Sequence, residues 1–182
     1  MQTLKEHSGC VCALLGLPTK SSSGGLEFAS SAYDGTIKIW NSGFDSDKYD
    51  YHVKKELRVE PGDSIYINSL VLLPDSGQIA TAAFDENKIK IWSLATFDLV
   101  KTFETGANDS DAILLPLPGE RLAACASEED SVEIWDLKKM KCVQILKVHA
   151  PIWSLVSLPD SVIASGCADG YVYFWSLNCD SE

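Results

Sequence analysis

The sequence predicts an all-β protein assembled from four copies of one strand-rich unit, and three observations carry that prediction. Tryptophans recur at Trp40, Trp92, Trp135 and Trp175, 52, 43 and 40 residues apart. Each closes a phrase of small residues, an acidic turn and alternating apolar positions, as in Ala-Ser-Ser-Ala-Tyr-Asp-Gly-Thr-Ile-Lys-Ile-Trp, which ends at Trp40. No segment of ten or more residues joins helical periodicity to cap signals.

Within each unit the strands follow a fixed order. The inner strand is nearly all apolar and ends at a proline, at Pro18, Pro74, Pro118 and Pro159; such a run suits a strand covered on both faces. A second strand of small residues follows. The third, at 36–40 in the first unit and 132–135 in the third, alternates apolar and polar side chains as a half-buried strand does. Outer strands are expected near 51–57, 99–103 and 143–146, and Pro, Gly, Asp and Ser between the runs supply turn chemistry. Seven residues follow Trp175, so the fourth outer strand is expected from segment 2–5. Gln-Thr-Leu-Lys-Glu-His, ending at His7, resembles Gln-Ile-Leu-Lys-Val-His, ending at His149. Pairing the start of the chain with the last unit would remove an open sheet edge.

Composition narrows the class. Residues 1–182 read as one domain, large enough to bury roughly 70% of the surface its unfolded chain exposes. Hydrophobic residues make up 46% and charged residues 23%, the ordinary globular balance. The formal charge of -11 repels phosphate backbones and anionic lipid, which argues against direct nucleic-acid binding. No apolar run reaches the length of a membrane span and no secretory leader is expected. Cys10, Cys12, Cys125, Cys142, Cys167 and Cys179 read as reduced core thiols, because their spacing lacks paired zinc ligands. A cytoplasmic protein is expected, with the nucleus as the alternative, holding neither metal nor cofactor.

Taken together, the four phrases resemble the WD40-repeat family, whose repeat period is roughly 40 to 45 residues. The likeness spans repeats at about 4–41, 52–93, 99–137 and 143–177. It implies a β-propeller of four four-stranded blades, with the N-terminal strand closing the last. It also implies a structural hydrogen-bond network in each well-formed blade, made of a His before the inner strand, a Ser or Thr in the second, an Asp in the turn, and the Trp. The first repeat matches at His7, Ser30, Asp34 and Trp40, and the fourth at His149, Ser165, Asp169 and Trp175. A buried Asp needs surrounding donors to offset its desolvation, which such a set supplies. Repeats two and three depart from the pattern: their turn acids are Glu86 and Glu129, their second-strand positions read as Ala82 and Cys125, and no His precedes their inner strands. Four blades are fewer than the seven common in the family. A closed four-bladed ring, an eight-bladed ring of two chains and a truncated product are the three forms left, and the N-terminal clasp points to the first.

The resemblance further implies a non-catalytic scaffold or adaptor that binds protein segments on the face where the inner strands begin. Cys10, Cys12, Tyr66, Asn68, Pro151 and Trp153 match there, joined by Tyr33, Asp85, Glu128 and Ala168 ahead of the turn acids. Aromatic side chains among acids suit a peptide carrying Lys or Arg. The same Trp153 and Tyr66 could equally be core residues. A structural subunit that completes a ring, as a homodimer or inside a larger assembly, is the competing reading. Hydrolysis by a Ser-His-Asp set drawn from Ser30 or Ser165 and His7 or His149 is the third; the resemblance implies that this set is buried and recurs in several blades, whereas acyl transfer needs one exposed nucleophile beside an oxyanion hole. No phosphate-binding loop, H-E-x-x-H pair or G-x-S-x-G elbow is present. The stretch from Asn41 to His52, rich in Asp and Tyr, reads as a long loop.

Overall fold

A computed structural model describes residues 3–18, 26–45, 48–59, 66–83, 87–105, 112–126 and 130–177. Their fifteen strands form four antiparallel sheets, one per repeat. Blade 1 holds β1 (Val11–Leu17), β2 (Glu27–Ala32), β3 (Thr36–Asp45) and β4 (Lys48–Arg58). Blade 2 holds β5 (Ile67–Leu73), β6 (Gln78–Ala83), β7 (Lys88–Ser93) and β8 (Leu99–Glu104). Blade 3 holds β9 (Ala112–Leu117), β10 (Arg121–Ala126), β11 (Ser131–Asp136) and β12 (Lys141–Lys147). Blade 4 stops at three, β13 (Ile152–Leu158), β14 (Val162–Cys167) and β15 (Val172–Ser176).

Because side chains alternate across a strand, each blade offers one apolar face to the blade before it and another to the blade after. Ile37 and Ile39 of blade 1 pack with Ile67 and Ile79 of blade 2. Ile89 and Ile91 then meet Leu114 and Leu122 of blade 3, and Val132 and Ile134 meet Ile152 and Ile163 of blade 4. Every one of these twelve side chains is buried. Long cations stitch the junctions further: the Lys90 ammonium donates to the Val59 carbonyl (3.2 Å) and that of Lys101 to the Leu137 carbonyl (2.8 Å). Their stems lie along apolar surface while the charge finds a carbonyl in the next blade.

Inner strands pack in the order β1, β5, β9, β13. The expected clasp is corrected: residues 3–10 form no strand, and β15 has no fourth strand beside it among the described residues. The blades therefore stand as an arc, with Val156, Val172 and Phe174 of blade 4 exposed, rather than as a closed four-bladed ring. Inner strand β13 packs on β9 and β1 packs on β5, so the apolar packing runs from blade to blade in chain order.

A second correction concerns 41–52. Its described residues, 41–45 and 48–52, continue the β3–β4 hairpin, with Asn41 opposite His52, Ser42 opposite Tyr51 and Gly43 opposite Asp50. Tyr51 turns back onto Phe28 edge-on (5.5 Å between ring centres), and Phe28 stacks on Trp40 at the same distance. Aromatic cross-strand pairs of this kind stabilise a hairpin beyond its ladder bonds.

Candidate functional site

One rim of the arc, where the inner strands begin, repeats a single device. The ladder of β1 steps from Val11 to Ala13, that of β5 from Ile67 to Ser69, and that of β13 from Ile152 to Ser154. The residues left over are Cys12, Asn68 and Trp153. A β-bulge re-aims its extra side chain, so three blades turn the same position out of register at the same rim. Trp153 is 66% exposed, which resolves its standing between surface and core.

Turns between second and third strands complete this rim. The Tyr33 amide donates to the Cys10 carbonyl and the Ala168 amide to the Pro151 carbonyl, each at 2.9 Å, fastening each turn to the start of its inner strand. Tyr33 and Tyr66 meet across the first blade junction with ring centres 4.4 Å apart, and both are more than a third exposed. Tyr171, 67% exposed at the blade 4 turn, is a rim aromatic that the sequence reading passed over. Its signal was available, since it stands two residues after the turn acid where blade 1 has Thr36. Asp85 and Glu128, the other two rim candidates, lie outside the described residues, as do the turn acids Glu86 and Glu129.

Beneath the rim of blade 1 lies the hydrogen-bond network. The indole N–H of Trp40 donates to the Ser30 hydroxyl (2.8 Å), the His7 Nε2 lies 2.7 Å from that hydroxyl, and the His7 Nδ1 lies 3.0 Å from the Asp34 carboxylate. Asp34 also accepts from the Thr36 hydroxyl (2.6 Å), the Thr36 amide (3.1 Å) and the Ser8 amide (2.8 Å). Burial pushes the Asp34 carboxyl up, but the Thr36, Ser8 and His7 hydrogen bonds outweigh it and hold the pKa down to about 2. Close approach is part of the design. A Cβ on Gly9 would meet the Asp34 amide nitrogen at 2.7 Å, so only glycine lets the His7 segment lie against this turn.

Ser30, His7 and Asp34 have the connectivity of a hydrolytic triad without its access. Ser30 is 2% exposed and its hydroxyl already holds the Trp40 N–H, so no substrate carbonyl can reach it. A nucleophile must meet its substrate at close range. The set acts as a clamp on the turn.

The other blades solve the same problem differently. In blade 2 the Trp92 N–H donates to Thr81 (3.0 Å). Thr81 faces Lys90 as Ser30 faces Lys38, which corrects the second-strand position from Ala82. The same register puts Ala124 opposite Glu133 where Cys125 had been expected, and there the Trp135 N–H turns to Glu133 itself (2.9 Å). In blade 4 the predicted residues are not brought together. His149 and Asp169 are exposed, and the buried Ser165 hydroxyl lies 3.2 Å from the Cys167 thiol instead. Asp169 accepts from the Tyr173 hydroxyl (2.7 Å) and the Tyr171 amide (3.0 Å), bonds that hold its carboxyl below the usual range.

The cysteines divide. Cys10 and Cys12 are exposed rather than core thiols, while Cys125 is buried, and burial pushes its thiol up to about 12. Among the described residues no group of three or more His, Cys, Asp or Glu side chains gathers as metal ligands, and no helix is long and apolar enough to cross a membrane.

Comparison with known proteins agrees with the blade geometry. The family model described as WD domain, G-beta repeat matches residues 1–41 and 140–176. The small ribosomal subunit protein RACK1y of Oryza sativa subsp. japonica is 25% identical over 158 residues, covering 82% of this chain and 43% of its own. The U3 small nucleolar RNA-associated protein 12 of Saccharomyces cerevisiae is 27% identical over 124 residues, covering 66% of this chain and 13% of its own. Among solved structures, the WD40 repeats of RRP9 superpose with a TM-score of 0.72 at 22% identity, covering 97% of this chain and 51% of theirs. The chain thus spans less than half the length of these two relatives and about half of the solved domain.

Proposed function

We propose that this chain, whose residues 1–41 and 140–176 match the WD-domain model and whose blades superpose on a WD40 domain, is a WD40-repeat protein that acts as a non-catalytic platform, binding partner protein segments on the rim where its inner strands begin. The bulged position shared by three blades carries this reading. It presents Cys12, Asn68 and Trp153 at one rim, beside the Tyr33 and Tyr66 pair and the exposed Tyr171. Large amphipathic rings on a rigid sheet bury much area on binding at little entropic cost, which is why Trp and Tyr dominate interface energetics. A formal charge of -11 and the exposed carboxylate of Asp169 favour a segment carrying Lys or Arg, since ring faces and carboxylates both attract cations. Relatives named for the small ribosomal subunit and for a small nucleolar RNA widen the compartment to cytoplasm or nucleus.

Screening the protein against an array of peptides rich in Lys and Arg, then measuring the best binder by calorimetry, tests this. Trp153→Ala is expected to weaken binding about 10-fold or more with unchanged melting, because its side chain is exposed, and Tyr66→Ala to weaken it similarly with a lower melting temperature, because its ring packs on Tyr33. Unchanged affinity in both variants, or no binder in the array, would remove the proposed site.

A further inference from the structure

We propose that the free edge of β12 is a docking strand, on which an extended segment of a partner protein, with apolar residues flanked by acids, adds itself to the blade 3 sheet. The inference stands on the outer circumference of the arc and not on the peptide-binding rim.

Blade 3 is covered on both faces. Leu122 and Ala124 pack towards blade 2, and Ala123, Val132 and Ile134 towards blade 4, so it offers no face to a further blade. Within the sheet β12 pairs with β11 alone among the described residues. Its other side is left with a row of backbone N–H and C=O groups directed outwards, the template on which another strand can be added.

Side chains along this edge set it apart from the other two outer strands. Val143 and Ile145 are 41% and 55% exposed, and the exposed Lys141 and Lys147 stand on either side of them. The ladder passes from Cys142 opposite Trp135 to Gln144 opposite Ile134, so Val143 is the extra residue of a bulge, which re-aims its side chain. Outer strand β4 exposes Lys54, Lys55, Glu56 and Arg58 instead, with Lys54 paired to Glu27 (2.7 Å) and Arg58 to Glu56 (2.9 Å). Charge of that kind is how edge strands resist addition. On β8 the exposed Leu99 and Val100 are followed by Lys101, already engaged with the Leu137 carbonyl, and by the exposed acid Glu104.

Charge identifies the partner. Segment 137–159 holds four lysines and no acidic residue, in a chain with 26 acids. Lys138 and Lys139 meet Glu120 and Asp136 at 3.4 and 3.5 Å, whereas Lys141 and Lys147 form no ion pair among the described residues. Two uncompensated cations around an apolar pair complement a strand that is apolar in the middle and acidic at its ends. In strand addition the main chain supplies affinity and alternate side chains supply choice.

Calorimetry on the full chain tests this with a capped peptide, Glu-Thr-Val-Thr-Ile-Thr-Glu, matched to the seven residues of β12. Binding is expected, and about 10-fold weaker binding when both peptide acids become Lys or when the protein carries Lys141→Glu with Lys147→Glu. Ile145→Thr, which keeps a β-branched residue on the strand, is expected to weaken it several-fold with unchanged melting. N-methylation of the peptide at Val and Ile, or instead at its three Thr, separates strand addition from mere surface adhesion. One of the two forms should lose binding and the other keep it, because only alternate amides face the edge. No binding of the acidic peptide, equal binding of the Lys-ended one, or equal binding of both methylated forms would overturn the proposal. Light scattering that showed two chains joined in the unaltered protein and separated in Ile145→Thr would overturn it as well, by giving the edge to a second copy. Trp153→Ala should leave every one of these results unchanged, so this proposal and the rim site fail separately.

Discussion

Blade 1 and blade 4 carry the same four residue types, His, Ser, Asp and Trp, in the same order, and only blade 1 assembles them. The difference lies in what stands between. From His7 to Val11 the connection is Ser8, Gly9 and Cys10; from His149 to Ile152 it is Ala150 and Pro151, one residue shorter. Blade 1 thereby gains the Ser8 amide that donates to Asp34 and a glycine whose missing Cβ admits the close approach. Thr36 adds a hydroxyl to the carboxylate, and its counterpart in blade 4 is Tyr171, so Asp169 turns to Tyr173 instead. A four-residue signature specifies a network only when its connecting loop has the right length and a donor at each remaining lone pair.

The largest effect should come from removing the centre of the intact network. Asp34→Ala leaves the Ser8 and Thr36 donors without their acceptor and is expected to cost about 1–3 kcal/mol in denaturant unfolding. Asp169→Ala, at an exposed carboxylate, should shift the transition far less. An equal loss at both sites would erase the contrast between the blades. Ser30→Ala against Ser165→Ala repeats the comparison one residue type over, because Ser30 alone accepts a tryptophan N–H.

Next in size is a gain. Replacing Ala150 by Ser-Gly and Tyr171 by Thr rebuilds the blade 1 connection in blade 4, letting His149 reach Asp169. A successful network worth about 1 kcal/mol would raise the melting temperature by about 2–4 °C, and a fall would show that loop length is not the missing element.

Acid provides the smallest and most specific contrast. The folded Asp34 pKa of about 2 lies below its ordinary 3.8, so its contribution is fully present above about pH 4 and is lost as pH falls towards 2. Melting curves collected down that range should slope less in Asp34→Asn than in the unaltered chain. Substituting Asn for Asp169 should flatten the slope less.

Much of the fold was legible because the tryptophan and proline phrases report apolar periodicity directly, and the three inner cores follow from it. What escaped depended on register or on distant geometry. Thr81 sits in the run Ala80, Thr81, Ala82, where no letter marks which residue faces the position two before the tryptophan. The 41–52 hairpin lacks an apolar alternation to announce it. Bulges at Cys12, Asn68 and Trp153 leave no trace in the sequence pattern. The likeness of residues 2–7 to 144–149 predicts an outer strand, yet residues 3–7 form none, because a local pattern does not supply the neighbouring edge that a strand needs.

Indole hydrogen exchange, followed in a nitrogen-15 correlation spectrum, tests the central contrast most directly. The account predicts protected N–H groups at Trp40 and Trp92, each bonded to a buried hydroxyl, and rapid exchange at Trp175. Equal protection at Trp40 and Trp175 would mean that blade 4 holds the same network as blade 1, and the account would be wrong.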